Sequence, residues 1–182
     1  MMDEGAWVVV KRDIEVITVP YGTKMMLASG TQVRVAQSAG GNYTVMTDLG
    51  VLCRVNAEDA DAIGETSEAA AEPATDGNAP YDEKRVWAQL RTVFDPEIPI
   101  NIVDLGLVYE VKAQPRPAGG QRVEIKMTMT APGCGMGEVL KGDVEQKVAR
   151  VAGVGEVKVS VVFEPPWSLK MMSEAARLQL GL

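Results

Sequence analysis

The sequence predicts an α+β protein in two parts. A small N-terminal β domain, a barrel or sandwich, covers residues 1–65. A C-terminal domain with the element order α-β-β-α-β and a small mixed sheet covers residues 81–182. Three observations carry this. Residues 1–65 break into six short alternating runs divided by turn signals, and after residue 81 helical and strand periods alternate. Between them, residues 66–80 hold no large apolar side chain, two prolines and only acidic charges. Such a segment cannot build a core and reads as a flexible linker, whose ends a random coil would separate by about 20 Å.

The front runs are Trp7 to Val10, Glu15 to Val19, Lys24 to Ala28, Thr31 to Gln37, Asn42 to Thr47 and Gly50 to Val55. Pro20-Tyr21-Gly22, Ser29-Gly30, Gly40-Gly41-Asn42 and Asp48-Leu49-Gly50 mark the turns. Alternation puts Val33 and Val35 on one face with Arg34 on the other. It likewise groups Val51, Cys53 and Val55, so Cys53 is expected in the core. Residues 56–64 are expected to close the domain with a short helical turn. Their acidic run lacks the spacing of a calcium loop and reads as a solvated cap.

The second domain opens with a helix from Asp82 to about Phe94, because Val86, Leu90, Val93 and Phe94 fall at helical spacing. Asp95-Pro96 ends it, since proline disfavours helical backbone in the residue before it. A loop stiffened by Pro96 and Pro99 leads to a strand over 107–112 and then to one over 123–130. There Val123, Ile125, Met127 and Met129 are expected inward, with Glu124, Lys126, Thr128 and Thr130 outward. A helix over 138–151 carries Leu140, Val144, Val148 and Val151 on one face. Gly153-Val154-Gly155 closes it, residues 156–163 form the last strand, and a short helical tail follows Ser168.

Composition removes several functions. The net charge of −7 and pI near 4.7 argue against nucleic acid held through a general phosphate field. Residues 1–65 carry 5 basic and 9 acidic side chains, whereas residues 81–182 carry 13 of each, so the acidic excess belongs to the front. With no histidine, imidazole triads, histidine-ligated zinc and imidazole proton shuttles are out. The two cysteines, Cys53 and Cys134, form no Cys-x-x-Cys, so neither a disulfide scaffold nor a four-cysteine metal site is expected within one chain. No signal-peptide pattern opens the sequence and no apolar run is long enough to span a bilayer. The expectation is a cytoplasmic protein with reduced thiols, without membrane or nucleic-acid partners.

The chemistry concentrates in Thr130-Ala131-Pro132-Gly133-Cys134-Gly135, where a strand hands over to a helix. A thiol at a helix N-terminus faces unpaired N–H groups and the positive end of the dipole, which favours thiolate. Thr130, Pro132, Gly133 and Gly135 shape the supporting loop, and its glycines let another group approach the sulfur. Such a sulfur suits iron–sulfur species or Cu(I) better than Mg or Ca, which makes Cys134 the candidate metal ligand. With one such thiol per chain, a cluster would be held only transiently, by pairing protomers in a homodimer or by borrowing ligands from a client. None is expected to be bound stably by one chain. Asp95 and Glu97 could orient their loop, accept N–H bonds or supply weak oxygen ligands. Their carboxylates are expected to find partners at the start of the second helix, beside the sulfur.

Asp95-Pro96-Glu97-Ile98-Pro99, the run 102–108 (Ile-Val-Asp-Leu-Gly-Leu-Val), the cysteine loop, a Val-x-Val run and Glu164-Pro165-Pro166-Trp167 together resemble the iron–sulfur assembly domain of the SufT family, which a eukaryotic cytosolic iron–sulfur targeting factor shares. The resemblance spans about residues 80–182. In the front half, Val19-Pro20-Tyr21-Gly22-Thr23, the run from Gln37 to Val45 and the ending Asp59 to Gly64 resemble the N-terminal extension of that family. The resemblance implies a factor that helps to mature iron–sulfur proteins, not an enzyme, with assembly proteins and client apo-proteins as partners. It makes Cys134 the reactive cysteine and Asp95 with Glu97 the acidic pair. Gly135 stands where many members have proline, leaving the thiol more accessible. Two other functions fit the same residues: a thiol-dependent enzyme with Cys134 as nucleophile and Glu97 as base, and the assembly subunit of a phenylacetyl-coenzyme A oxygenase. The first has few ways to finish a turnover without a histidine or a second cysteine.

Overall fold

The computed structural model describes residues 6–66, 80–133 and 135–182. They fall into two compact units, one within residues 1–72 and one within 73–182.

In the first unit all six predicted strands form: β1 (Trp7–Val9), β2 (Ile14–Thr18), β3 (Lys24–Leu27), β4 (Gln32–Ala39), β5 (Asn42–Thr47) and β6 (Leu52–Val55). They make one sheet in the order β1-β4-β5-β6-β2-β3, every neighbouring pair antiparallel. A single sheet replaces the two layers of a sandwich, and its hydrogen-bonded order has two ends. Residues of every strand, from Val8 at one end to Leu27 at the other, nevertheless enter one apolar cluster. The predicted helical turn is a 3₁₀ helix, Ala57–Ile63, which adds Ala60, Ala62 and Ile63 to that cluster. A seven-residue 3₁₀ helix, little more than two turns, covers little area, so the sheet must curl to bury the rest. Cys53 is fully buried beside Val45 and Val55 in this cluster, as the alternation predicted. Burial pushes its thiol pKa up, so it stays protonated and unreactive.

The second unit has α1 (Glu83–Leu90), β7 (Val108–Pro115), β8 (Gln121–Met127), α2 (Gly137–Ala149), β9 (Val154–Val161), a 3₁₀ turn (Leu169–Met171) and α3 (Glu174–Gln179). β7 pairs antiparallel with β8, and β8 pairs parallel with β9 through the α2 crossover, giving the predicted mixed sheet. α1 is shorter than its periodicity suggests. It is capped by Asp82, whose carboxylate accepts the Lys84 N–H at 2.9 Å, and it stops at Leu90. Val93 still reaches the core, but Phe94 forms a bridge with Asn101 instead of a helical turn. Extended backbone there is what Asp95-Pro96 demands. Strand β9 also starts two residues earlier than expected, at Val154, because Gly153 alone makes the turn (φ 78°).

The core gathers Val86 and Leu90 of α1, Val123, Ile125 and Met127 of β8, Leu140, Val144 and Val148 of α2 and Val159 of β9. Met129 joins them, so the Met-rich face is packing, and its neighbour Thr128 is buried too. The predicted alternation fails at Thr128 because β8 ends at Met127 and the backbone turns towards the cysteine loop. The other face of the sheet is a lattice of charge. Lys112 lies opposite Glu124, which lies opposite Lys158, and Glu110 lies opposite Lys126. Exposed pairs of this kind add little energy, but a slip of one residue would bury charges, so they help to specify register.

Candidate functional site

The acidic loop is built around Asp95. Its backbone N–H donates to the Ile100 carbonyl at 3.2 Å, and Ile102 N–H donates to the Val93 carbonyl at 2.9 Å, closing residues 94–101 into a hairpin-like loop. Inside it the Asp95 side chain turns back, and its Oδ1 accepts the N–H groups of Glu97 and Ile98, both at 2.9 Å. The residue is only 3% exposed. Burial pushes its carboxyl pKa up, against the opposite pull of the two N–H donors. The two carboxylates of the predicted pair therefore differ in kind. Asp95 faces inward and holds the loop, whereas Glu97 is exposed between its prolines. Asp95 finds its N–H partners in its own loop, not at the start of α2. The reason is local: Pro96 lacks an N–H, and an aspartate can reach the next two donors without moving the backbone.

A second polar turn follows. Asn101 Oδ1 accepts the N–H groups of Val103 (3.1 Å) and Asp104 (2.9 Å), and its amide donates to Asp104 Oδ2 at 2.6 Å. This carries the chain to Leu105-Gly106-Leu107, onto which the C-terminal segment is strapped. Trp167 Nε1 donates to the Leu105 carbonyl (2.7 Å), Ser173 N–H to the Asp104 carbonyl (2.8 Å), and the Tyr109 hydroxyl to the Pro165 carbonyl (2.6 Å). Gly106 has φ 72°, and a Cβ there would collide with the Met171 carbonyl, so both backbone and space require glycine. In the sequence, Asp104 and Trp167 stand out only as motif letters, and Asn101 and Tyr109 not at all. The Asn-x-x-Asp spacing was the available signal for the turn.

The cysteine loop starts at the same end of the sheet. Thr128 N–H donates to the Leu107 carbonyl at 2.8 Å, which sets the exit of β8 against the end of the acidic loop. Thr130 is half-buried, and Ala131, Pro132, Gly133 and Gly135 are exposed. Gly133 has φ 81° with open space around it, so glycine is needed there for the backbone and not for room. Met136, fully buried, anchors the loop to the core, and α2 begins at Gly137, where the N-cap residue Met136 makes no side-chain cap hydrogen bond. Cys134 itself lies outside the described residues. The structure thus brings the acidic loop and the cysteine loop to one end of the sheet through Leu107 and Thr128. No helix among the described residues is long and apolar enough to cross a membrane.

Residues 83–161 match the family model described as iron–sulfur cluster assembly protein. A Porphyromonas gingivalis protein named Fe–S protein maturation auxiliary factor is 46% identical over 99 residues, which are 54% of this chain and 90% of that protein. The Fe–S protein maturation auxiliary factor SufT of Staphylococcus aureus is 37% identical over 50% of this chain and 98% of its own length. A crystal structure of a domain of unknown function from Bacillus anthracis superposes with a TM-score of 0.50 and 40% identity, covering 55% of this chain and 92% of that one. About half of this chain thus accounts for nearly all of each relative. The chain belongs to the iron–sulfur cluster assembly protein family, as a SufT-like member.

Proposed function

We propose that this protein matures iron–sulfur client proteins by carrying or delivering a cluster, or its parts, through the thiol of Cys134. The observation that carries the reading is the kinship with maturation auxiliary factors, which takes in the strand-to-helix loop holding the cysteine. The geometry supports a division of labour around it. The residues flanking Cys134 are exposed and glycine-rich, which admits a bulky partner group. Asp95, buried and bonded to its own loop, positions that loop, and exposed Glu97 is the member of the acidic pair that meets a client or a metal. The cluster is cargo. One soft ligand per chain suits a transient holder, with the remaining ligands supplied by a second protomer or by the client. Turnover of a small molecule is no part of this role.

The test is complementation of a strain lacking the protein, read as the activity of iron–sulfur client enzymes. Cys134→Ser should fold normally and fail to support client activity. Glu97→Gln should be weakened, and Cys53→Ser nearly silent. A Cys134→Ser protein that supports clients as well as wild type would make the chain a scaffold and end the thiol reading. Anaerobic reconstitution with iron and sulfide, followed by transfer to an apo-protein, then separates cluster carriage from client docking.

A further inference from the structure

The turn between β7 and β8 lies at the opposite end of the sheet from the cysteine loop, roughly 20 Å away along β8. There Gln114, Pro115, Arg116, Pro117, Ala118, Arg122 and Glu156 line a cavity of about 330 Å³, within the size range of small-molecule sites. Two arginines share one carboxylate in it. Arg116 Nε and Arg122 Nε both reach Glu156 Oε2, at 3.3 and 3.1 Å. Each is held before any ligand arrives. Arg116 sits between two prolines in a turn closed by its N–H on the Gly120 carbonyl and its carbonyl on the Gly119 N–H, both 3.0 Å. Its guanidinium lies over Gly155, where a Cβ would fall 2.5 Å from Nη1. Arg122 lies opposite Glu156 in the β8–β9 register.

We propose that this cavity binds a small molecule through a phosphate or carboxylate group. Two guanidinium charges against one carboxylate leave a net positive charge in a concave site. Each guanidinium meets Glu156 through its Nε and carries four further Nη–H donors, the fork chemistry that recognises planar or tetrahedral oxyanions. Pre-organisation by Pro115, Pro117 and Gly155 lowers the ordering cost of binding. Glu156 prevents repulsion between the arginines in the free protein and is also the ligand's internal competitor.

The test is a titration of the full chain followed by NMR of the arginine Nε–H and glycine amide signals. Inorganic phosphate and succinate are the two probes, each against sodium chloride at equal ionic strength. Saturable shifts at Arg116, Arg122 and Gly155 are expected with at least one probe, and the probe that saturates identifies the oxyanion. Arg122→Gln should weaken binding by about tenfold or more, the factor for one charge-assisted contact. Glu156→Gln should tighten it several-fold. The site is disproved if neither probe saturates, or if Arg122→Gln shifts as wild type does. Should Arg122→Gln not fold, Glu156→Gln decides: tighter binding supports the site and unchanged binding removes it.

Discussion

The carboxylate of Asp95 is buried, yet it is the acceptor that fixes the Glu97 and Ile98 amides. Two variants separate those facts. Asp95→Asn keeps an oxygen for both N–H groups, whereas Asp95→Ala removes it and should destabilise by about 1–3 kcal/mol, since two N–H groups lose their acceptor. The pH dependence has a definite sign. The folded carboxyl pKa lies above its ordinary value, so its contribution is fully present below the ordinary aspartate range and is lost as pH rises through the raised value. Denaturant melts should therefore show Asp95→Asn gaining on wild type as pH rises above about 4. A gap that shrinks on the way up would mean that the N–H bonds outweigh burial. The two thiols give a second check. Cys53 is fully buried with its pKa raised, so iodoacetamide should label Cys134 in the folded protein and Cys53 only in denaturant. Labelling of Cys53 first would reverse their assignment.

At the scale of elements, the C-terminal segment matters more than its short helices suggest. α3 has only six residues and could not persist alone. It is held because Ser173 caps it, accepting the Ala176 N–H at 3.1 Å, and because Ala176 and Met172 enter the core. Trp167 and Ser173 then bond the segment to the loop that ends at Leu107, and Tyr109 of β7 bonds it to the sheet. Gly106→Ala puts a methyl group against the Met171 carbonyl and should cost about 2 kcal/mol or more, since strained backbone and overpacking each contribute 1–3. Gly119→Ala is the control, because its φ of 89° is strained too but open space surrounds it. Thermal melts should rank Gly106→Ala clearly below Gly119→Ala. Equal melting temperatures would mean that the strap yields freely.

For the whole molecule, each unit has an apolar cluster of its own, and about half of the chain covers nearly the full length of the two maturation factors it resembles. We expect residues 80–182 to fold when expressed alone, with a cooperative melt close to that of the same unit in the full chain. Limited proteolysis of the full chain should cut first between Thr66 and Pro80, where the composition offers no core-forming residue. A C-terminal piece that fails to melt cooperatively would show that the two units form one folding unit. The front unit lies outside the residues matched by the family model, and docking of partners is our proposal for it.

Much of the fold was written in the sequence, because period and punctuation are local signals. The six front strands, the start of α1 near Asp82, the α2 face and the inward Val123, Ile125 and Met127 could each be read from a window of a few residues. So could the buried Cys53 and the strand-to-helix loop around Cys134. What the windows could not give depends on partners distant in the chain. Phe94 has a helical neighbour pattern, but its bridge to Asn101 and the proline after Asp95 overrule it. Thr128 alternates outward on paper and is buried because the strand ends beside Leu107. Whether six strands make two layers or one sheet is a matter of pairing, which alternation leaves open. The sequence singled out Asp95 and Glu97 together; only the folded loop turned one inward as a brace and left the other in solvent, because burial is decided by what packs around a side chain and not by its type.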